Sequence, residues 1–197
     1  MDRRSSFTEQ GYVRLQTLCP AIELPQLRGL FPSNGEASRT LVHAIGPAVL
    51  GGLETIVRAR AAAASIFGAD CTLEFAQWYC KPAGSPEALI PWHQDREFWS
   101  SERPHVLTTW IALDQTSVTN GCLRVSPRSH VAPDIRVHRP DPLTGVRSCT
   151  LDDSEANIPL ELDAGSGVIY HERLVHCSGG NETSCARRAL VLGWKAL

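Results

Sequence analysis

The pattern of apolar positions changes near residue 70. Before it, apolar residues recur at spacings of three and four, which predicts helices at residues 24–31 and 48–67. Turn residues at 32–35 would close the first helix, and Gly68 is placed to end the second. The longer helix would bury one apolar face, made of Leu53, Ile56, Val57, Ala61, Ala64 and Phe67.

After residue 70, short runs of β-branched and aromatic residues alternate with Pro, Gly and Asn, which predicts strands. We expect them at residues 71–80, 106–113, 122–125, 167–170 and 189–194. Several short strands after a helical part are typical of a sandwich or barrel with helices packed outside it.

Residues 130–160 contain four prolines, many charges and little periodicity, which indicates a functional loop or a lid. We therefore expect one domain over residues 1–197. Residues 1–70 would form its helical part and residues 71–197 its β core.

The composition is that of a soluble globular protein, with 43% hydrophobic and 20% charged residues. A net charge of −2 gives no reason to expect nucleic acid or an anionic membrane as a partner. Without a signal peptide or a long apolar run, the chain is expected to be cytoplasmic. Its seven cysteines are scattered singly and are expected to be reduced, mostly as small buried hydrophobes.

The stretch PWHQDREFW, residues 91–99, raises the question of a metal site. On a strand, His93 and Asp95 would project from the same face and offer two ligand atoms to one point. Alone, such a pair often occurs by chance on a surface strand. A metal needs a third ligand, and the other histidines are the candidates: His43, His105, His130, His138, His171 and His176.

His176 stands out from this group because of its neighbours. Apolar residues precede it, a Gly-Gly turn follows, and another apolar strand begins near Ala189. Such a hairpin would direct His176 and an arginine of the next strand into one cavity. Two histidines and a carboxylate form the facial triad of non-haem Fe(II) oxygenases, whereas no four-ligand structural zinc set is evident.

Four segments, taken together, resemble the phytanoyl-CoA dioxygenase family of Fe(II)/2-oxoglutarate oxygenases, which includes the ectoine hydroxylases. Their order and spacing match the family, and the resemblance covers nearly the whole chain. The segments are His93-Gln94-Asp95, residues 110–114, residues 120–130 with Asn-Gly-Cys-Leu and Pro-Arg-Ser-His, and residues 176–188.

The resemblance implies a mainly β fold with N-terminal helices, namely a double-stranded β-helix (a cupin-like jelly roll). It implies His93, Asp95 and His176 as the ligands of Fe(II), with 2-oxoglutarate and O₂ as cosubstrates. Arg187 would bind the distal carboxylate of 2-oxoglutarate, and Ser178 would lie beside it.

The resemblance also implies cosubstrate contacts for Gln77 and Trp110, and a weaker one for Trp99. Arg188 should point to the opposite face as a solvated or salt-bridged arginine. Arg128 stands where the family often has glycine and is expected to be exposed without a role.

The expected activity is hydroxylation of an unactivated C–H bond in a small molecule, with release of succinate and CO₂. Related halogenases have a small residue at the position of Asp95, so the aspartate favours hydroxylation or another oxidation. Mixed charges near Asp95 suggest a polar or zwitterionic substrate. The candidates for contacting it, Trp92, Arg96, Glu97, Tyr170 and His171, could equally be packing or surface residues.

Two other functions fit the sequence less well. An inactive jelly-roll module for metal binding or regulation has no need of a cosubstrate arginine. A serine hydrolase would need a Gly-x-Ser-x-Gly elbow, which the sequence lacks. The sequence makes no prediction of the oligomeric state.

Overall fold

The computed structural model describes residues 2–31, 39–99 and 105–197. The predicted turn at residues 32–35 lies outside them. Within these ranges the helices are α1 Arg3–Gln10, α2 Leu24–Gly29, α3 Pro47–Leu50 and α4 Glu54–Phe67. In this part of the chain, no helix is both long and apolar enough to cross a bilayer.

The strands are mostly short and antiparallel. In chain order they are β1 Tyr12–Leu15, β2 Leu41–Ala44, β3 Cys71–Lys81, β4 Ile90–His93, β5 Val106–Ala112, β6 Leu123–Val125, β7 Arg139–Pro140, β8 Arg147–Ser148, β9 Ile158–Leu160, β10 Gly167–His171, β11 His176–Ser178 and β12 Arg187–Ala196. The five predicted strands correspond to β3, β5, β6, β10 and β12, and their ends agree within two residues.

Successive core strands alternate between two facing sheets. Among the described residues, the larger sheet has the order β1-β10-β5-β12-β3-β2, and the smaller has the order β4-β11-β6-β9. β7 and β8 form a separate ribbon inside the predicted loop at 130–160. Because the chain crosses between sheets after nearly every core strand, the architecture is the predicted double-stranded β-helix.

Side-chain alternation on the larger sheet divides the core into two layers. On β5, Leu107 and Ile111 pack with the helices, whereas Trp110 and Ala112 pack towards the smaller sheet. β12 repeats the pattern, so the sheet is covered on both faces. The face that looks towards the smaller sheet also contains the polar residues of the candidate site.

The predicted apolar face of the long helix is correct only in part: Leu53, Ile56, Ala64 and Phe67 pack in the core, whereas the other two positions do not. Gly52, at φ 81°, separates α3 from α4, and both Val57 and Ala61 are exposed. The buried positions of α4 are Thr55, Ala59, Ala62, Ala63 and Ile66. An alanine-rich helix has two neighbouring apolar faces with similar residue spacing. Contact with the sheet buries more fully the face with the smaller side chains, which leaves Val57 and Ala61 in solvent. Gly68 ends α4 as predicted, with φ 72° and its N–H bonded to the Ala64 carbonyl at 2.9 Å.

We expect a cluster of three histidines at the end of β10, namely His105, His130 and His171, to make the fold sensitive to acid. The ring of His171 lies 4.5 Å from that of His105 and 5.2 Å from that of His130. Burial, together with these neighbours, lowers the pKa of His171 to about 3. Between this value and the ordinary pKa near 6.5, the unfolded chain binds the extra proton, so the folded state loses stability as pH falls.

We therefore expect the free energy of unfolding to fall below pH 6.5, with His171 contributing up to about 1.4 kcal/mol per pH unit. The His171→Gln variant should have a shallower slope in urea titrations between pH 6.5 and 4. The His43→Gln variant, which changes an exposed histidine, is the control and should have the same slope as the wild type. Equal slopes for both variants would show that His171 does not contribute to the loss of stability in acid.

Candidate active site

The two residues of the His-x-Asp motif come from different local structures. β4 ends at His93, and Asp95 opens a 3₁₀ turn, Asp95–Phe98, so the prediction that both lie on one strand is wrong. Buried Gln94 causes the break: its N–H donates to His138 Nε2 at 3.1 Å, and its amide donates to the Arg173 carbonyl at 2.6 Å. The turn nevertheless brings Asp95 Oδ1 to 3.5 Å from His93 Nε2.

His176 completes the group from the neighbouring strand. β11 pairs with β4 so that His176 lies opposite His93, and its Nε2 is 3.5 Å from Asp95 Oδ1. The three ligand atoms all lie within 4.8 Å of one another. The predicted hairpin is wrong, since β11 and the following β12 belong to different sheets. Because these sheets face each other, both strands still contribute to one cavity.

Hydrogen bonds hold both imidazoles in the form that binds metals. Nδ1 of His93 lies 2.8 Å from the Pro91 carbonyl, and Nδ1 of His176 lies 2.8 Å from the Leu174 carbonyl. A carbonyl only accepts, so each Nδ1 carries the hydrogen and each Nε2 keeps its lone pair. Burial and the nearby His93 lower the pKa of His176 to about 4, which keeps it neutral at pH 7.

Asp95 is ionised in this environment. Burial alone would raise its pKa, but His176 and His93, which become protonated in acid, and a hydrogen bond from the Thr108 hydroxyl outweigh burial and lower the pKa below its ordinary value. A carboxylate and two imidazole lone pairs therefore converge on one point, which suits a divalent transition metal.

One cavity of about 800 Å³ lies between the two sheets and opens to the surface. Its walls contain all eight site residues predicted from the sequence: Gln77, His93, Asp95, Trp99, Trp110, His176, Ser178 and Arg187. The structure thus brings the predicted metal ligands and the predicted cosubstrate contacts to a single place.

Arg187 is a buried cation whose bonding is incomplete. It is 2% exposed, its Nη2 donates to the Gly121 carbonyl at 3.2 Å, and its Cζ lies 5.3 Å from the centroid of the Trp110 ring. Nε and Nη1 have no partner in the described part of the chain. Burial lowers the pKa to about 10, so the group stays charged at neutral pH. Unpaired guanidinium donors in a cavity wall suit a carboxylate ligand.

Arg188 points to the other side of the strand, as predicted. It forms two hydrogen bonds with Asp114, from Nε at 2.8 Å and from Nη2 at 3.0 Å. The charge of Arg188 is therefore paired within the protein, whereas Arg187 lines the cavity.

A family model described as phytanoyl-CoA dioxygenase (PhyH) matches residues 34–189. The chain belongs to this family of Fe(II)/2-oxoglutarate oxygenases. Phytanoyl-CoA dioxygenase 1 of Oryza sativa subsp. japonica is 33% identical over 120 residues, which are 57% of this chain and 40% of that protein. For this relative and two other curated ones, the part that matches the chain is 34–41% of the relative's own length.

Solved structures of similar proteins have the same fold. EvdO2 from Micromonospora carbonacea var. aurantiaca, complexed with 2-oxoglutarate, has a TM-score of 0.84 at 22% identity and covers 100% of this chain and 91% of its own. SnoN, a non-heme alpha ketoglutarate dependent epimerase from nogalamycin biosynthesis, has a TM-score of 0.76 at 22% identity, with 98% and 82% covered. These likenesses establish the double-stranded β-helix independently of the family match.

Two residues outside the predicted site set contact the triad. The Thr108 hydroxyl donates to Asp95 Oδ2 at 2.9 Å, and the ring of Tyr170 lies 4.6 Å from that of His176. Thr108 precedes Trp110 by two positions on β5, so strand alternation alone would have placed both on the same face. Tyr170 is among the substrate-contact candidates of the sequence, and its ring lies against a metal-ligand candidate instead.

Replacing Thr108 with valine should lower metal affinity by about 10- to 100-fold, because an outer hydrogen bond to a ligating carboxylate is lost. Thr109→Val is the matched control: it faces the helices and accepts a hydrogen bond from Trp194 Nε1 at 2.9 Å. That variant should lose stability but retain metal affinity, as measured by titration with Co(II). Equal metal affinity in the Thr108→Val variant and the wild type would contradict the assigned role.

Most of the proposed substrate contacts point elsewhere. Glu97 accepts a hydrogen bond from Arg147 at 2.6 Å, and Arg96 lies 3.8 Å from Glu172. Trp92 lines a surface depression that adjoins the cavity but does not line the cavity itself. His171 belongs to the histidine cluster at the end of β10. Tyr170 alone among these candidates lines the cavity.

Two other expectations concern residues outside the cavity. Arg128 is exposed as predicted, and its φ of 68° explains why glycine suits this position. All seven cysteines are free; Cys19, Cys71, Cys122 and Cys149 are buried, whereas Cys185 is exposed.

Proposed function

We propose that the protein is an Fe(II)- and 2-oxoglutarate-dependent dioxygenase. The observation that carries the proposal is one cavity lined by both the His93, Asp95, His176 group and the unpaired donors of Arg187. Three protein ligands leave coordination positions for a chelating cosubstrate and O₂. When bound, the metal supplies the redox chemistry that couples O₂ to conversion of 2-oxoglutarate into succinate and CO₂.

The residues of the cavity have separate tasks in this proposal. His93, Asp95 and His176 would hold the metal. Arg187 would bind the distal carboxylate of 2-oxoglutarate, with Ser178 beside it. The cosubstrate would lie against the remaining wall residues, Gln77, Trp110 and Trp99. Together these groups orient the cosubstrate and keep water out of the reaction.

We propose hydroxylation of an unactivated C–H bond as the outcome. The carboxylate at Asp95 leaves no ligand position for a halide. An epimerase such as SnoN shares the fold, so the outcome depends on which C–H bond the substrate presents. Product analysis by mass spectrometry separates the possibilities, because hydroxylation adds one oxygen atom and epimerisation adds none.

We further propose that the substrate has an apolar face. The charges that suggested a polar or zwitterionic substrate belong to Arg96 and Glu97, which have protein partners. The cavity wall includes four exposed apolar side chains: Val42, Phe98, Leu143 and Val146. Covering them would contribute roughly 25 cal/mol per Å² of apolar surface. Since Leu143 and Val146 belong to the segment at 130–160, we propose that this segment acts as the lid.

The proposal is tested with anaerobically purified protein. Addition of 2-oxoglutarate to the Fe(II) form should produce a visible metal-to-ligand band, and admission of O₂ should yield succinate. A folded protein without the band would overturn the dioxygenase assignment. A band without succinate for any substrate would favour the inactive jelly-roll module instead. The single-domain organisation and the cytoplasmic location stay predictions.

A further inference from the structure

Lys81 is a fully buried basic residue outside the cavity wall. It ends β3, and its Nζ donates to Thr40 Oγ1 at 3.1 Å and to the Ala88 carbonyl. It has no carboxylate partner within the described ranges. Thr40 precedes β2 and Ala88 precedes β4, so the lysine joins two walls of the cavity. The dioxygenase proposal gives it no task.

The strand register places Lys81 directly opposite Arg187. Opposed residues of an antiparallel pair share a face, with Cβ atoms about 4.5–5.5 Å apart, and like charges there repel. Neither side chain has an acidic partner among the described residues. The fold thus sets two bases side by side behind the cavity without an anion between them.

In the free protein, burial together with this repulsion favours the neutral form of Lys81. Burial, followed by the charge of Arg187, lowers the pKa of Lys81 to about 6. Cys177 also acts on Lys81, but burial raises the pKa of this thiol to about 12, so it is uncharged. Near pH 7.5 the pair therefore has one positive charge, on Arg187. A neutral amine can still donate to Thr40 and Ala88.

We propose that Lys81 is a positioning residue for the cosubstrate and takes up a proton from solvent when the carboxylate of 2-oxoglutarate docks on Arg187. The inference rests on the proposed dioxygenase function. An anion at Arg187 offsets the repulsion and favours the ammonium form of Lys81. That ammonium in turn adds attraction for the anion, while its bonds to Thr40 and Ala88 keep both cavity walls in place.

Because proton uptake and 2-oxoglutarate binding are coupled, the pKa of Lys81 in the free and bound protein determines how large both effects should be. If docking raises the pKa of Lys81 from about 6 to roughly 8, wild-type protein takes up roughly 0.7 proton at pH 7.5. Binding then strengthens as pH falls. Lys81→Met keeps the aliphatic stem without the charge, so it should bind 2-oxoglutarate roughly fourfold more weakly at pH 7.5 and roughly 20-fold more weakly at pH 6.5.

The experiment titrates anaerobic Fe(II) protein with 2-oxoglutarate. The visible band gives the affinity, and calorimetry in two buffers of different ionisation enthalpy gives the proton uptake. Lys195→Met is the matched control, because Lys195 lies at the far end of the same strand pair, 37% exposed and 3.8 Å from Glu74. It should behave as wild type. Wild-type proton uptake needs no variant, so the test does not depend on how Lys81→Met folds.

The outcomes separate the two proposals. Absence of the band in wild-type protein overturns the dioxygenase function and the role of Lys81 with it. A wild-type band without proton uptake overturns the role of Lys81 alone. Weaker binding by Lys81→Met with wild-type proton uptake also overturns it, since the lysine would then act only through packing.

Discussion

Replacing Arg187 with methionine is expected to weaken 2-oxoglutarate binding by about 100-fold or more without lowering the stability of the fold. The guanidinium donors left unpaired in the cavity would each make a charge-assisted hydrogen bond worth about 1.5–3 kcal/mol. In the free protein the same buried cation has no acidic partner, so its removal is neutral or stabilising. Anaerobic titration of the visible band and urea unfolding measure the two effects.

Arg188→Met serves as the control, because it should lower the stability of the fold and leave 2-oxoglutarate binding unchanged. This arginine forms two hydrogen bonds with Asp114, which also lies 3.0 Å from Arg28. Its loss should cost about 1–2 kcal/mol of stability and leave cosubstrate affinity unchanged. If Arg188→Met weakens binding instead of Arg187→Met, the cosubstrate anchor has been assigned to the wrong arginine.

Replacing His176 with alanine should lower metal affinity well beyond the roughly 100-fold that loss of an outer hydrogen bond costs. The imidazole supplies one of three protein ligand atoms, and two remaining ligands hold a transition metal poorly. Co(II) titration followed by visible spectroscopy measures the affinity without turnover. Succinate formation should be lost at the same time.

The control for this experiment is another buried histidine on the same molecule. His130 is 8% exposed, and its Nε2 lies 3.1 Å from the Thr8 carbonyl, so its loss affects packing. His130→Ala should unfold more easily yet bind Co(II) as wild type does. If His176→Ala still binds Co(II) tightly, His176 is not a metal ligand.

The sequence alone was enough to predict the elements that depend on a local residue pattern. Short runs of β-branched and aromatic residues between turn residues predicted β3, β5, β6, β10 and β12, because a strand covered on both faces reads as a nearly continuous apolar run. Gly68 was identified as the end of α4, since a left-handed residue there favours glycine. The order and spacing of His93, Asp95, His176 and Arg187 indicated the family, which the match over residues 34–189 confirmed.

Only the tertiary structure decided features that depend on contacts between distant segments. The turn at Asp95 arises because Gln94 bonds to His138 and Arg173, and no local pattern reports such partners. Contact with the sheet determines which face of α4 is buried, because the sequence of this helix has two apolar faces with similar residue spacing. Lys81 and Arg187 are 106 residues apart, and only the register of β3 against β12 makes them neighbours. The sequence therefore identifies the residues of the candidate site, whereas the pairing of strands determines which side chains surround it and what charge they carry.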